Sequence, residues 1–289
     1  MLFTYLGPKE EQPAFIEWDL FHRKDGSYRI EVQDDYECNW LQIQENAADV
    51  THTSFLHAKY FEALGHADST GFNLPMLKYG FQPFQFGIIK SWCYEGEKSG
   101  WGNLLVFPNM LRLMTEMHWR VAIDNYTTRI LWLTFLPGEN SDRCDPGDVK
   151  VMRQPARMGE GGGYHMKSFM SQDAMAVETQ GRIFDRSCEK LGASDMGIVM
   201  FRRMLLEQIE KVKAGGRPIA NVYSDAESSE VTDLRSWMGG YIPMSCLPDP
   251  TFRQTRSEEE TFDERHSEYW LPVASQETLR KKYKLFVGA

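Results

Sequence analysis

The sequence predicts an α+β fold in which one curved antiparallel sheet packs against long helices. Residues 81–136 contain several short runs in which apolar and polar side chains alternate, as in strands with one buried face. Two segments with helical spacing follow, one at about 165–179 and one that starts after Ser194 and ends at Gly215. The second is amphipathic and long enough to pack across the sheet.

Earlier in the chain, the pattern predicts a β-hairpin. Residues 16–20 and 28–32 both alternate apolar with polar side chains, and Asp25-Gly26 lies between them. An Asp-Gly pair favours a tight hairpin turn because both central positions must tolerate positive φ. We therefore expect two paired strands within residues 16–32.

Composition and charge exclude several classes of protein. The chain has 289 residues and a formal net charge of −9. A nucleic-acid binder needs a basic face to neutralise phosphates, and an anionic membrane would repel this chain. No apolar run approaches the roughly 18 residues of a membrane span, and no basic segment of a secretory signal opens the chain. We expect a cytoplasmic protein that binds neither nucleic acid nor membrane.

The cysteines predict neither a disulfide framework nor a local metal motif. They are Cys38, Cys93, Cys144, Cys188 and Cys246. Their number is odd, and no two of them form a Cys-x-x-Cys pair. Zinc fingers and iron–sulfur sites built on local motifs are therefore not expected in this sequence.

Two histidines five residues apart, His52 and His57, follow a segment with helical spacing. Side chains at this separation diverge by about 140° on a regular α-helix. The pair can share a metal ion only if the helix ends or bulges between them, and a π-type bulge would serve. The alternative is two unrelated histidines, one half-buried and one on a loop.

Asp173 lies within the apolar stripe of the helix predicted at 165–179. A carboxylate there is costly unless it is paired or binds a metal. It could also mark the helix edge, or pair with Arg182 or Arg186. Together with His52 and His57, it supplies the two imidazoles and one carboxylate of a facial triad that holds Fe(II), with zinc as the alternative metal.

Three strings of this sequence resemble the large subunits of Rieske non-haem iron oxygenases, in the branch of phthalate dioxygenases and aromatic O-demethylases. The first runs from Cys38-Asn39-Trp40-Leu41-Gln42 to His57, the second covers residues 118–129, and the third covers 172–203. The resemblance extends over residues 1–214 and implies a helix-grip (Bet v1-like) catalytic domain. Residues 215–289, in which hydrophobic clusters lie among polar stretches, are expected to form an extended C-terminal arm on this domain or on a neighbouring subunit.

The resemblance also implies roles for individual residues. His52, His57 and Asp173 would ligate mononuclear Fe(II), and Asp49 would bridge His52 to the Rieske cluster of a neighbouring subunit in a homotrimer. A carboxylate beside a ligand histidine can also fix its tautomer. Tyr126 departs from the pattern, because many relatives have histidine there.

The implied reaction is hydroxylation or O-demethylation of an aromatic substrate, often a carboxylate, with O2. Electrons would come from a Rieske [2Fe-2S] cluster or ferredoxin partner and an NAD(P)H-linked reductase. The sequence has no Cys-x-His and Cys-x-x-His pair for such a cluster, and Met1–Pro8 resembles the end of a Rieske domain. The cluster is expected in trans or in a missing N-terminal domain. The alternative function is a helix-grip ligand-binding or accessory subunit without independent turnover.

Overall fold

The computed structural model describes residues 2–59, 74–95, 101–137, 149–154, 157–159, 161–166, 169–223, 232, 234 and 270–272. Within these residues, nine strands form one sheet and three α-helices accompany it. No helix in this part of the chain combines the length and the apolarity needed to cross a lipid bilayer.

The strands are β1 (Gly26–Val32), β2 (Met76–Phe84), β3 (Gly87–Tyr94), β4 (Trp101–Val106), β5 (Met110–Leu113), β6 (Glu116–Ala122), β7 (Thr128–Pro137), β8 (Lys150–Arg153) and β9 (Trp270–Pro272). The helices are α1 (Trp40–Ala48), α2 (Phe169–Glu178) and α3 (Met196–Lys213). The strand order is β8-β1-β7-β6-β5-β4-β3-β2-β9, and every pair is antiparallel except β1 with β8. The predicted α+β helix-grip fold is confirmed.

Strands β2 to β7 form an antiparallel meander in which each strand pairs with the next one along the chain. Short connections allow this arrangement, and antiparallel neighbours need no crossover helix. The meander coincides with the region of alternating residues at 81–136, although its first strand begins earlier, at Met76. The helices cover one face of this sheet, and the cavity described below lies between the helices and that face.

The hairpin predicted within residues 16–32 is wrong. Trp18 makes only an isolated bridge to Thr232, and Asp19–His22 form a 3-10 turn. The alternation has another cause, because Leu20 is fully buried and Asp19 accepts a hydrogen bond from buried Arg112 at 2.9 Å. Residues 16–20 thus anchor a turn to the sheet, and the strand β1 pairs instead with β7 and β8.

Helix α3 packs across the sheet through its buried residue Phe201, whose ring lies 5.1 Å from that of Phe107. Its N-cap is Asp195, one residue beyond the predicted Ser194, because a 3-10 turn precedes the helix. Gly215, at φ +81, follows its C-terminus as predicted.

Most of the predicted C-terminal arm at 215–289 lies outside the described residues. Of the part that is described, Leu234 is fully buried in the core, and β9 adds to the edge of the sheet beside β2. The boundary between residues 214 and 215 stays a prediction.

Candidate metal centre and cavity

A π-helical turn brings the two histidines to one side of the chain. Helix α1 ends at Ala48, and Asp49 is extended at φ −79 and ψ 129. Residues Thr53–His57 then form a π-helix, in which the Ala58 N–H donates to the Thr53 carbonyl. The wider turn places the rings of His52 and His57 5.2 Å apart. This turn supplies the break in regular helix that a shared metal site requires.

Asp173, on α2, faces both histidines. Its Oδ1 lies 3.2 Å from His57 Nε2 and 3.9 Å from His52 Nε2. One ligand atom from each of the three residues lies within 4.8 Å of the others. Asn46 on α1 also donates to Asp173 Oδ1, at 3.3 Å. The structure therefore brings together the three residues that the sequence predicts as metal ligands.

The alternative partners of Asp173 are engaged elsewhere or distant. Arg186 pairs with Glu45 at 2.9 Å, and within the described residues Asp173 makes no ion pair with an arginine. Helix α2 is held in place by Gln42 of α1, whose amide donates to the carbonyls of Val177 and Gly181 at 3.1 and 3.0 Å. This clamp fixes the distance between the ligand on α2 and the histidines that follow α1.

Hydrogen bonds fix the tautomers of both histidines. His52 Nδ1 lies 3.1 Å from the Asp49 carbonyl oxygen, and His57 Nδ1 lies 2.6 Å from Gln172 Oε1. The Gln172 amide nitrogen donates to the Met166 carbonyl at 3.0 Å, which sets the orientation of this amide. Both acceptors are carbonyl oxygens, so each Nδ1 carries the proton and each Nε2 presents a lone pair. That donor set suits Fe(II) or zinc.

Electrostatics keep the carboxylate ionised. Burial alone would raise the pKa of Asp173. A hydrogen bond from His57 Nε2, which forms when that ring is protonated, and the nearby His52 hold this pKa below its usual value. Burial also lowers the pKa of His52, although Asp173 and Asp49 oppose the effect. For His57, burial is outweighed by the bond to Asp173, and its pKa is raised. The site thus holds an anionic oxygen beside two imidazoles, as a divalent cation requires.

Asp49 contacts His52 mainly through its backbone. The carboxylate oxygen Oδ2 lies 3.7 Å from His52 Nδ1, farther than the carbonyl oxygen at 3.1 Å. The other carboxylate oxygen accepts from the Thr51 N–H at 2.8 Å and so starts the turn that carries His52. Lys90 Nζ donates to the same Asp49 carbonyl at 3.0 Å. The bridging role of Asp49 stays a prediction.

A cavity of about 380 Å³ opens beside the triad, between the helices and the inner face of the sheet. Its apolar wall includes Trp92, Leu111, Leu113, Ile130, Trp132 and Phe169. Such a volume and lining are typical of pockets for small molecules. The cavity is large enough for one aromatic ring with substituents.

Polar side chains on the strands also line this cavity. Glu116, His118 and Arg120 alternate along β6, and Lys90 and Asn103 are register partners on β3 and β4. Sequence reasoning did not assign them to the site. The sequence did indicate Lys90 as a candidate, because it is a lone cation within the apolar run of β3.

Arg120 is a buried guanidinium without an acidic partner. It is 5% exposed, and its Nη1 donates to the His118 carbonyl at 3.3 Å. Within the described residues, its Nε has no hydrogen-bond partner and no carboxylate pairs with it. Burial lowers the pKa of Arg120 to about 10 and that of Lys90 to about 8. Buried cations are costly without an anion, which makes these two residues candidates for ligand binding.

Tyr126 lies away from the cavity on a half-exposed turn. Its ring is 5.5 Å from the Arg182 guanidinium, and its N–H donates to Asp124 Oδ1 at 2.7 Å. The departure at this position therefore leaves the triad unchanged.

Two protein families match parts of the chain. The vanillate O-demethylase oxygenase C-terminal domain matches residues 36–74, which contain Asp49, His52 and His57. The family described as LigXa C-terminal domain like matches residues 148–241, which contain Asp173.

Known oxygenase subunits are similar to most of the chain. The 5,5'-dehydrodivanillate O-demethylase oxygenase subunit of Sphingobium sp. is 29% identical over 232 residues, covering 78% of this chain and 54% of that protein. The phthalate 4,5-dioxygenase oxygenase subunit of Pseudomonas putida is 26% identical over 259 residues, covering 74% of this chain and 58% of that protein. The chain thus spans little more than half the length of these two relatives.

Solved structures with a similar chain include NdmA of Pseudomonas putida CBB5 with caffeine, at a TM-score of 0.42 and 12% identity, over 73% of this chain and 61% of that one. The quaternary ammonium Rieske monooxygenase CntA aligns at a TM-score of 0.34 and 14% identity, over 54% of this chain and 38% of that one.

Proposed function

Since the chain belongs to the oxygenase subunits of Rieske non-haem iron oxygenases, in the branch of aromatic O-demethylases and phthalate dioxygenases, we propose that it is the catalytic portion of such an enzyme. It would use mononuclear Fe(II) and O2 to hydroxylate or O-demethylate an aromatic substrate. The observation that supports this most is the convergence of His52, His57 and Asp173 at the edge of a largely apolar cavity.

The donor set fits the proposed metal. His52 and His57 would each bind it through Nε2, because their Nδ1 atoms already carry protons, and Asp173 would bind it through a carboxylate oxygen. When bound, Fe(II) would supply the redox chemistry that activates O2, on the face left open by three protein ligands. Zinc fits the same donors, so the metal has to be identified by analysis of the protein.

The cavity residues would position the substrate and exclude water. Trp92, Trp132 and Leu111 offer flat and aliphatic surface to an aromatic ring. Arg120 and Lys90 would bind an anionic substituent, because a carboxylate would compensate their buried charges. We therefore propose an aromatic acid as the substrate class.

Electrons would arrive from a Rieske [2Fe-2S] cluster supplied with electrons by an NAD(P)H-linked reductase. The cluster would lie in a partner protein or in an N-terminal domain, since the five cysteines of this sequence form none of the required motifs. Asp49 would relay between His52 and the cluster of a neighbouring subunit in a homotrimer. Its carboxylate is partly exposed, as contact with a neighbour requires.

Metal analysis tests the proposal directly. His52→Ala and Asp173→Ala should each abolish binding of Fe(II), because two ligands cannot hold the ion in this site. His22→Ala is the matched control, since His22 is an exposed histidine paired with Glu17 at 3.0 Å. Full iron occupancy in both triad variants would refute the assignment.

Ligand binding tests the substrate class. Benzoate should bind the wild-type protein more tightly than benzamide. Arg120→Met should reduce the difference, because the guanidinium is the buried charge without an acidic partner and Lys90 remains. Equal affinities of the wild-type protein for the two probes would refute the anionic substrate and leave the metal assignment standing.

The second candidate is a ligand-binding or accessory subunit without its own turnover, which a cavity with buried cations could serve without iron. Oxygen consumption on addition of a Rieske protein and its reductase would favour the enzyme. Tight binding of an aromatic acid by iron-free protein, without any oxygen consumption in the complete mixture, would favour the binding module.

A further inference from the structure

His118 is held rigidly in the cavity by contacts that the proposed metal chemistry does not need. The imidazole is 3% exposed and stacks on the indole of Trp132, its register partner on β7, with centroids 3.9 Å apart and an interplanar angle of 4°. Its Nε2 lies 2.8 Å from Glu116 Oε2. A stacked ring with one nitrogen bound to a carboxylate has a fixed orientation.

The bond to Glu116 also determines the character of the other ring nitrogen. An ionised carboxylate only accepts hydrogen bonds, so His118 Nε2 donates to Glu116 and carries the proton. Nδ1 of the neutral ring is then an acceptor. Among the described residues this atom has no hydrogen-bond partner, although both His118 and Glu116 line the cavity.

The surroundings favour the neutral ring. Burial lowers the pKa of His118, and Arg120 adds to this effect, while Glu116 and Asp173 oppose it. Lys90, on another wall of the same cavity, adds a second positive charge. Two buried cations would also repel an ammonium donor, so the donor that reaches Nδ1 should be neutral, as a phenolic O–H is.

We propose that His118 Nδ1 accepts a hydrogen bond from a phenolic hydroxyl of the substrate, and that Glu116 positions the ring for this contact. This inference rests on the proposed function, because it places the hydroxyl on the aromatic acid that Arg120 binds. Glu116, His118 and Arg120 lie on the same face of β6, so one strand would recognise both substituents of the ring. The substrate class narrows to hydroxylated aromatic acids.

The test compares two probes that share a carboxylate and differ in one hydroxyl. Vanillate has a free phenolic hydroxyl, and veratrate is its methyl ether. Titration calorimetry on the full chain should show that the wild-type protein binds vanillate about tenfold more tightly, the value of one well-made buried hydrogen bond. His118→Phe keeps a ring on Trp132 and should remove the preference. His22→Phe, which alters an exposed histidine–glutamate pair, should preserve it.

Glu116→Gln tests the positioning role through the pH dependence of the vanillate preference. This pH dependence would not change if Glu116 only packed against the ring. Loss of the carboxylate should lower the pKa of His118, because Glu116 stabilises the charged ring. The vanillate preference, which disappears when His118 is protonated, should then persist to lower pH than in the wild-type protein. An unchanged pH dependence would overturn the role of Glu116.

The remaining outcomes separate this inference from the proposed function. Equal affinity of the wild-type protein for vanillate and veratrate, or an unchanged preference in His118→Phe, would overturn the role of His118 while the aromatic-acid site stands. Failure of the wild-type protein to bind either probe would overturn both the role of His118 and the aromatic-acid site, while the metal assignment stands.

Discussion

Substitution of Gln172 by Met should weaken metal binding although Gln172 is not a proposed ligand. The side chain is fully buried, and its Oε1 lies 2.6 Å from His57 Nδ1. Met has a similar length and a good helix propensity, so it should preserve α2. It cannot accept the proton of His57 Nδ1, and the imidazole is then free to place its proton on Nε2, where the metal should bind.

The contacts of Gln172 set the expected losses of folding free energy and of metal affinity. The substitution leaves the His57 N–H and the Met166 carbonyl without partners, which should cost about 1–3 kcal/mol of folding free energy. Removal of a residue that orients a ligand histidine typically weakens metal affinity by about 10- to 100-fold. This corresponds to roughly 1.4–2.8 kcal/mol at 25 °C.

The assay is competition for Fe(II) against a chelator of known affinity, with folding checked by urea unfolding. Gln180→Met is the matched control, because Gln180 is an exposed glutamine just beyond α2 that donates to the Ala176 carbonyl at 2.8 Å. Gln172→Glu restores an acceptor and should recover most of the affinity. If Gln172→Met bound Fe(II) as tightly as the Gln180→Met control, the argument from the tautomer would be refuted.

Three other changes have defined outcomes. Gly197→Ala should destabilise the fold by about 1–3 kcal/mol in urea unfolding, because the added methyl group would overlap the Phe81 ring, whereas Gly192→Ala meets only ordinary contacts and should change little. Burial lowers the pKa of Lys90 from 10.5 to about 8, so the unfolding free energy should rise between these pH values by an amount on the order of 3 kcal/mol. Lys90→Met should remove that rise, and equal slopes in both proteins would contradict the shift. Asp49→Asn should leave iron bound and slow electron delivery from a Rieske partner. Unchanged turnover with the Rieske protein and its reductase present would reject the bridging role of Asp49.

Local pattern was sufficient for several elements. The alternation at 81–136 predicted the antiparallel meander, and the apolar stripe predicted α3 to within one residue of its N-cap. A metal site shared by His52 and His57 required a break in regular helix between them, and the π-helical turn is that break. Periodicity reports these features because each depends on which side chains share a face within a few residues.

The same reasoning failed where alternation had a non-local cause. Residues 16–20 alternate because a 3-10 turn buries Leu20 and pairs Asp19 with Arg112, and the strand β1 finds its partners far along the chain. Gly26 permits that pairing, since an added methyl group there would overlap the Leu136 carbonyl. A glycine after Asp25 therefore marks a close approach of two strands and no hairpin turn.

The sequence by itself predicted the ligand types, the candidate triad residues and an antiparallel sheet with helices. Only the tertiary structure decided that Gln172 orients His57, and that His118 and Arg120 face a cavity. Polar residues alternating along a strand look the same whether their face meets water or an enclosed pocket. The difference depends on which sheet face the helices cover, and that is set by contacts between residues more than a hundred positions apart, such as Gln42 with Val177.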